Sequence, residues 1–307
     1  MKVTALAGGV GGAKLLVGLQ RAVAGSGELA AVVNTGDDAI VYGLHVSPDV
    51  DIVTYWLAGV ADTERGWGLS GDTFEVVDAL GRLGADDWFR LGDRDMATCI
   101  YRTDRLRAGA TLTAVADEIR RRLQVPTRVL PMSDDPVRTT IACADGRVLD
   151  FQEWFVRERC APEVSDVRFT GMPDATASPG VLDALSDADV VVLCPSNPIV
   201  SIGPIVSLPG VRDALREHPR VVAVSPLING VPLKGPADKL MLAAGLDVSA
   251  TGVAASYADL CDAFVLDAAD HTAPGDVEAL GMSVMKTNTI MSTHDASEAL
   301  ARRILEP

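Results

Sequence analysis

The chain has 307 residues, 48% hydrophobic and 22% charged, which excludes a disordered polymer and supplies a large core. Its formal net charge is −15 and its longest basic run is Arg120-Arg121-Arg122, which argues against a nucleic-acid partner. Residues 1–7 are followed too soon by glycines and Lys14 to make a signal peptide, and no run reaches the roughly 18 apolar residues of a membrane span. Cys99, Cys143, Cys160, Cys194 and Cys261 are odd in number and lack CxxC spacing, so they read as small buried hydrophobes of a cytoplasmic, reducing setting.

Taken in order, an apolar run at 3–6 predicts a first strand, followed by Gly8-Gly9-Val10-Gly11-Gly12 and a helix over 12–24. A second run at 30–33 leads into Asn34-Thr35-Gly36-Asp37-Asp38. Over residues 49–107 strand-like runs thin out and three of the four Trp occur, which predicts a helical insertion or lid. A helix over 112–123 and a strand at 128–130 come next, ending in Pro131-Met132-Ser133-Asp134-Asp135-Pro136. Runs at 189–194, 220–224, 263–266 and 283–285 predict further strands, with helices over 180–186, 210–218, 236–244 and 296–305. Continuous apolar runs suit strands covered on both faces. Their alternation with helices predicts a doubly wound, Rossmann-like, mostly parallel α/β sheet. Residues 1–307 read as one α/β catalytic domain carrying the insertion.

In such a sheet the strand ends share one edge, where ligands bind. Gly9, Gly11 and Gly12 permit close backbone approach, so amides at a helix N-terminus can face a phosphate, with Lys14 just beyond. Ala13 and Leu15 rule out a P-loop, and Lys14 stands where a dinucleotide fingerprint has its third glycine. A tight turn without a ligand is the plain alternative. Asp37, Asp38, Asp49 and Asp51 put four carboxylates within fifteen residues, a set suited to a hard cation such as Mg²⁺. For any one of them, capping or an Asx turn is the alternative. Arg90-Leu91-Gly92-Asp93-Arg94-Asp95 alternates charge and reads equally well as a solvated turn. Ser133 and Asp134 sit between prolines, and Ser196 and Asn197 follow the most apolar strand; each pair is placed to meet a ligand or merely to end a strand. The four histidines form no HxxxH pattern, and no Gly-x-Ser-x-Gly elbow appears. Among the tryptophans, Trp67 in Arg65-Gly66-Trp67-Gly68 is best suited to stack on a flat ring.

The ordered segments GGVGGAKLL, VVNTGDD, SPDVD, RGWG, LGDRDMAT, LPMSDDPV, FQEW, PSNPIVSIGPI, VSPLING and KGPADKL run from residue 8 to about residue 240. As a set they resemble the 2-phospho-L-lactate transferases, also called the phosphoenolpyruvyl transferases of coenzyme F-420 biosynthesis. The resemblance implies attack by the ribityl terminal hydroxyl of the deazaflavin Fo on a guanosine-diphospho-linked acid. A phospho-acid group is transferred and GMP leaves. It implies Mg²⁺ at Asp37 and Asp49, and deazaflavin contact at Asp51 and Arg90, with Asp93 in the same segment as Arg90. The guanosine diphosphate side falls to Gly9, Gly11, Gly12 and residues 195–198. Asp37, Asp49 and Asp51 carry the catalytic expectation, with Asp37 or Asp51 as base. Both partners are then small molecules, and a homodimer is implied. Ile40-Val41-Tyr42 and Phe89 have no reading, and leave open whether the donor carries 2-phospholactate, phosphoenolpyruvate or 3-phosphoglycerate.

Two other readings compete. An NAD-dependent dehydrogenase would use the glycine loop and take Asp37 as its ribose ligand, but the missing third glycine and the carboxylate cluster count against it. A sister family of nucleotide-sugar-binding regulators shares the glycine-rich start and an acidic second loop. LGDRD and SPDVD favour the transferase.

Overall fold

The computed structural model describes residues 1–306. All seven expected apolar runs become strands of one sheet: β1 (Lys2–Ala7), β2 (Glu28–Val33), β3 (Arg128–Pro131), β4 (Val190–Leu193), β5 (Val221–Val224), β6 (Ala263–Asp267) and β7 (Ser283–Thr287). Every pairing is parallel, in the spatial order β7-β6-β5-β4-β1-β2-β3. β4 and β5 are buried along their whole length, which is why they read as unbroken valine-rich runs. The chain winds outward from β1 to β3 on one side and from β4 to β7 on the other. The order therefore reverses between β1 and β4, and that reversal is the topological switch point of a doubly wound sheet.

Helices cover both faces. α1 (Gly9–Val23) buries Leu15, Leu16 and Leu19, and it meets the C-terminal helix His294–Leu305 so closely that a Cβ at Gly18 would lie 2.1 Å from the Ser297 carbonyl oxygen. α2 (Pro48–Leu57) joins the same core through Val50, Val53, Tyr55 and Trp56. The opposite face is covered by the helices Val181–Ser186, Val211–Glu217 and Ala250–Ser256. Each buried Leu or Val contributes about 1.5–3 kcal/mol. Among the described residues no helix is long and apolar enough to cross a membrane.

Two features depart from the sequence reading. The stretch around Ile40 is a hairpin, Ala39–Val41 with Leu44–Val46, turned by Tyr42 (φ 53°) and Gly43 (φ 74°). Paired positive φ values are what a two-residue hairpin turn of this hand requires. With α3 (Glu75–Arg82) and α4 (Asp93–Arg107) the hairpin closes a small core of Val41, Val46, Val77, Leu91, Met96 and Cys99. The helical segment expected over 49–107 is thus divided, α2 belonging to the main core and α3 and α4 to this smaller one. The second feature is a three-stranded antiparallel sheet, Arg138–Cys143 flanked by Val148–Asp150 and Val164–Thr170. Around it Ile141 and Trp154 pack with Val200 and Leu240, which ties it to the loop after β4.

Candidate active site

The loops after β1, β2, β4 and β5 converge over the switch point and enclose a cavity of about 460 Å³. Gly9, Gly11, Asp37, Asp49, Asp51, Arg90, Ser196 and Asn197 all line it. Gly12, Lys14, Asp93, Ser133 and Asp134 do not.

The glycine loop and Asp49 form one unit. The Gly9 amide (φ +64°) donates to Asp49 Oδ1 at 2.8 Å, and Asn34 Nδ2 donates to Oδ2 at 2.9 Å. A Cβ on Gly8 would stand 2.4 Å from Asp49 Oδ2, so the backbone must be bare there. Ser196 Oγ donates to the Gly8 carbonyl oxygen at 2.8 Å and also accepts from the Gly8 amide, stitching the loop after β4 to the loop after β1. A Cβ on Gly11 would lie 2.4 Å from the Pro195 carbonyl oxygen, and one on Gly12 would meet Ser196 Oγ at 2.7 Å. Gly12 therefore serves this junction from beneath. Asn197 uses its Oδ1 to accept the Ile199 and Val200 amides, capping the turn Pro198–Ile202.

Asp37 is 6% exposed, and its Oδ1 has no hydrogen-bond partner. Burial, followed by repulsion from Asp49, raises its pKa well above the ordinary carboxylate value. Burial likewise raises Asp49 to about 6, although Asn34 and Gly9 pull against it. These are two buried acids side by side, an all-oxygen donor set with one oxygen unclaimed. That chemistry would suit a hard divalent cation such as Mg²⁺, with Asp37 and Asp49 as the residues that would hold it.

Asp51 follows Asp49 by two residues on α2 and lines the same cavity, paired with the buried Arg102, which also donates to the His45 carbonyl oxygen at 3.2 Å. Burial raises the pKa of Asp51, and Arg102 opposes it. Asp95 lines the same wall, accepts from the Tyr55 hydroxyl at 2.8 Å, and is pushed up to about 7 by burial and then by Asp51. Arg90 pairs with Asp78 at 2.7 Å and lies over the Phe74 ring at 5.0 Å, while Arg65 lies over Trp67 at 5.2 Å.

The remaining expected residues have local tasks away from the cavity. Asp93 accepts from the Thr73 hydroxyl and from the Glu75 and Val76 amides, so it caps α3, and these bonds hold its pKa below the usual range. Asp134 accepts the Thr113 amide at 2.7 Å at the start of the helix Leu112–Arg122. Ser133 donates to the Thr176 carbonyl oxygen at 2.6 Å. Lys14 lies over the Trp56 ring at 5.7 Å. Conversely, Asp95, Tyr55, Arg65 and Lys234 line the cavity without having been singled out as site residues. The i,i+4 spacing of Asp51, Tyr55 and of Asp95, Cys99 on two helices was the available signal.

A family model described as 2-phospho-L-lactate transferase CofD matches residues 3–302. The phosphoenolpyruvate transferase of Streptomyces griseus is 42% identical over 312 residues, covering 100% of this chain and 98% of its own length. The 2-phospho-L-lactate transferase of Methanosarcina mazei is 41% identical, covering 97% and 98%. A crystal structure of a UPF0052 family member from Bacillus halodurans superposes with a TM-score of 0.68 at 16% identity, covering 99% and 98%, a likeness of fold. With a parallel sheet whose switch point carries these loops and a match running almost end to end, the chain belongs to the 2-phospho-L-lactate transferase CofD family.

Proposed function

We propose that the protein transfers a phospho-acid group from a guanosine-diphospho donor to the ribityl hydroxyl of the deazaflavin Fo, releasing GMP. The observation that carries this reading is the pair Asp37 and Asp49, buried together beside the glycine loop in one cavity. A P–O bond forms to the hydroxyl oxygen, the P–O bond to the GMP phosphate breaks, and the hydroxyl proton passes to a base. Phosphoryl-type transfer of this kind depends mainly on charge neutralisation and in-line positioning. Mg²⁺ held by Asp37 and Asp49 would neutralise the diphosphate and the departing GMP.

The chain's own groups fill the other roles. Asp51 is fixed on the wall by Arg102 and offers its carboxylate to the attacking hydroxyl. Asp37, with Oδ1 unclaimed, is the other candidate base. Trp67 and Arg90 line the part of the cavity where a flat deazaflavin ring can stack. Residues 8–11 and 195–197 supply backbone polar groups for the diphosphate. The relatives bear two names, one for phosphoenolpyruvate and one for 2-phospholactate, at nearly equal identity, so the acid is decided by experiment. Protein incubated with Fo, Mg²⁺ and the guanylyl donor of 2-phospholactate, phosphoenolpyruvate or 3-phosphoglycerate should yield one Fo phosphodiester and GMP by mass spectrometry. Absence of product with all three donors overturns the reading.

A further inference from the structure

Two cations beside the glycine loop lack a carboxylate partner among the described residues. Lys234 follows the short hairpin Leu227–Ile228 with Val231–Pro232 and lines the cavity. Its ammonium donates to a neutral acceptor, the Arg65 carbonyl oxygen, at 2.8 Å. Gly66 fixes where that ammonium stands: a Cβ there would lie 2.5 Å from Lys234 Nζ and 3.2 and 3.3 Å from the two Val10 methyls. The Lys234 charge is therefore lodged against the same loop that holds Asp49. The second cation is Lys14, on the first turns of α1, whose ammonium lies over the Trp56 ring at 5.7 Å. Burial, and then the positive charge of Lys14, depress the Lys234 pKa.

This arrangement is unusual for a chain of net charge −15. Acids are plentiful, yet among the described residues none pairs with either lysine, and the positive charge of Lys14 repels the ammonium that Lys234 holds at the cavity wall. An ammonium that stands near a like charge and is bonded to a neutral carbonyl is better satisfied by an anion. A lysine is a point charge on a long stem, well suited to a phosphate oxygen that arrives with the ligand.

We propose that Lys234 is a phosphate-contacting residue for the nucleoside diphosphate ester, exchanging the Arg65 carbonyl for a diphosphate oxygen when the donor settles at residues 8–11. Lys14 adds a second positive charge at longer range. This assignment rests on the transferase reading of the cavity. Lys234 is exposed and lies outside the hydrophobic cores, so its replacement leaves the fold intact.

The test is calorimetric titration of GDP, with Mg²⁺, into the full chain and its Lys234→Met and Lys234→Arg variants, with Fo affinity by fluorescence as the internal control. Loss of one charge-assisted hydrogen bond predicts that Lys234→Met binds GDP about tenfold or more weakly. Lys234→Arg should keep most of the affinity, and Fo binding should stay within about twofold in all three proteins. Unchanged GDP affinity in Lys234→Met overturns the contact and leaves the transferase reading standing. An equal loss of GDP and Fo affinity also overturns it, since the residue would then be shaping the cavity. Failure of the unaltered protein to bind GDP while binding Fo overturns the transferase reading and the contact together.

Discussion

Metal-free protein should lose stability as the pH rises past the ordinary carboxylate range, and Asp49 makes that loss measurable. Its carboxyl is buried, and although it accepts from Gly9 and Asn34 its pKa stands at about 6 against the usual 3.8. The folded state thus holds this proton more tightly than the unfolded state does. A raised acid of this kind gives its full stability below the unfolded value, and loses it as the pH climbs to the folded one. The gap from 3.8 to about 6, at 1.36 kcal/mol per pH unit, amounts to about 3 kcal/mol. Asp49→Asn cannot ionise. It gives up one of the two accepted bonds, but at a cost that does not vary with pH. Urea denaturation in EDTA from about pH 4 to about pH 7, a window that opens just above the unfolded value, should therefore show the unaltered protein falling by about 2 kcal/mol relative to the variant. A divalent ion beside Asp49 favours the ionised form, so excess Mg²⁺ should abolish the fall in the unaltered protein and do nothing to the variant. Parallel stability curves in EDTA would refute the reasoning.

Arg102→Met should cost about 3–5 kcal/mol, because it strands Asp51 as an uncompensated buried charge; a denaturation midpoint within error of the unaltered protein contradicts this. Gly11→Ala should cost about 1–3 kcal/mol, since its methyl would meet the Pro195 carbonyl oxygen at 2.4 Å and a backbone atom cannot swing aside. The same variant should bind GDP more weakly because the two loops that frame the diphosphate must part, and unchanged titrations would separate the loop from the nucleotide.

The central sheet was legible because β4 and β5 are buried on both faces, and a doubly buried strand leaves an unbroken apolar run. The antiparallel sheet was not. Its strand Arg138–Cys143 alternates buried residues with more exposed ones, and Thr, Arg and Cys in that pattern carry no apolar run. The same contrast holds at the site. Asp49 and the glycines are recognisable because backbone crowding at Gly8 and Gly11 admits no other residue. Asp93, Ser133 and Asp134 share the residue types of ligand contacts, and the last two follow a strand end, yet their oxygens are claimed by Glu75, Thr176 and Thr113. Composition alone cannot tell a carboxylate that caps a helix from one that faces a cavity. Lys234 is the converse case, brought to the loop by a hairpin whose placement depends on sheet order and not on local pattern.

On the proposed reading, cation and donor must depend on one another. Asp37, Asp49, Asp51 and Asp95 all line the cavity, and of these Asp51 alone has a paired guanidinium. A diphosphate entering without a cation meets Asp37 and Asp49 in a part-buried site, where charges interact more strongly than in water. A cation entering without the diphosphate must still be held by only two carboxylates. Each ligand relieves the other's electrostatic cost, and by linkage the two effects are the same factor. GDP affinity measured with and without Mg²⁺ should change by the ratio found for Mg²⁺ affinity with and without GDP. Typical couplings of 1–3 kcal/mol make that ratio about 5–150-fold. Equal GDP affinity in EDTA and in Mg²⁺ would mean that the diphosphate does not lie beside Asp37 and Asp49. The glycine loop would then be framing something other than a phosphate.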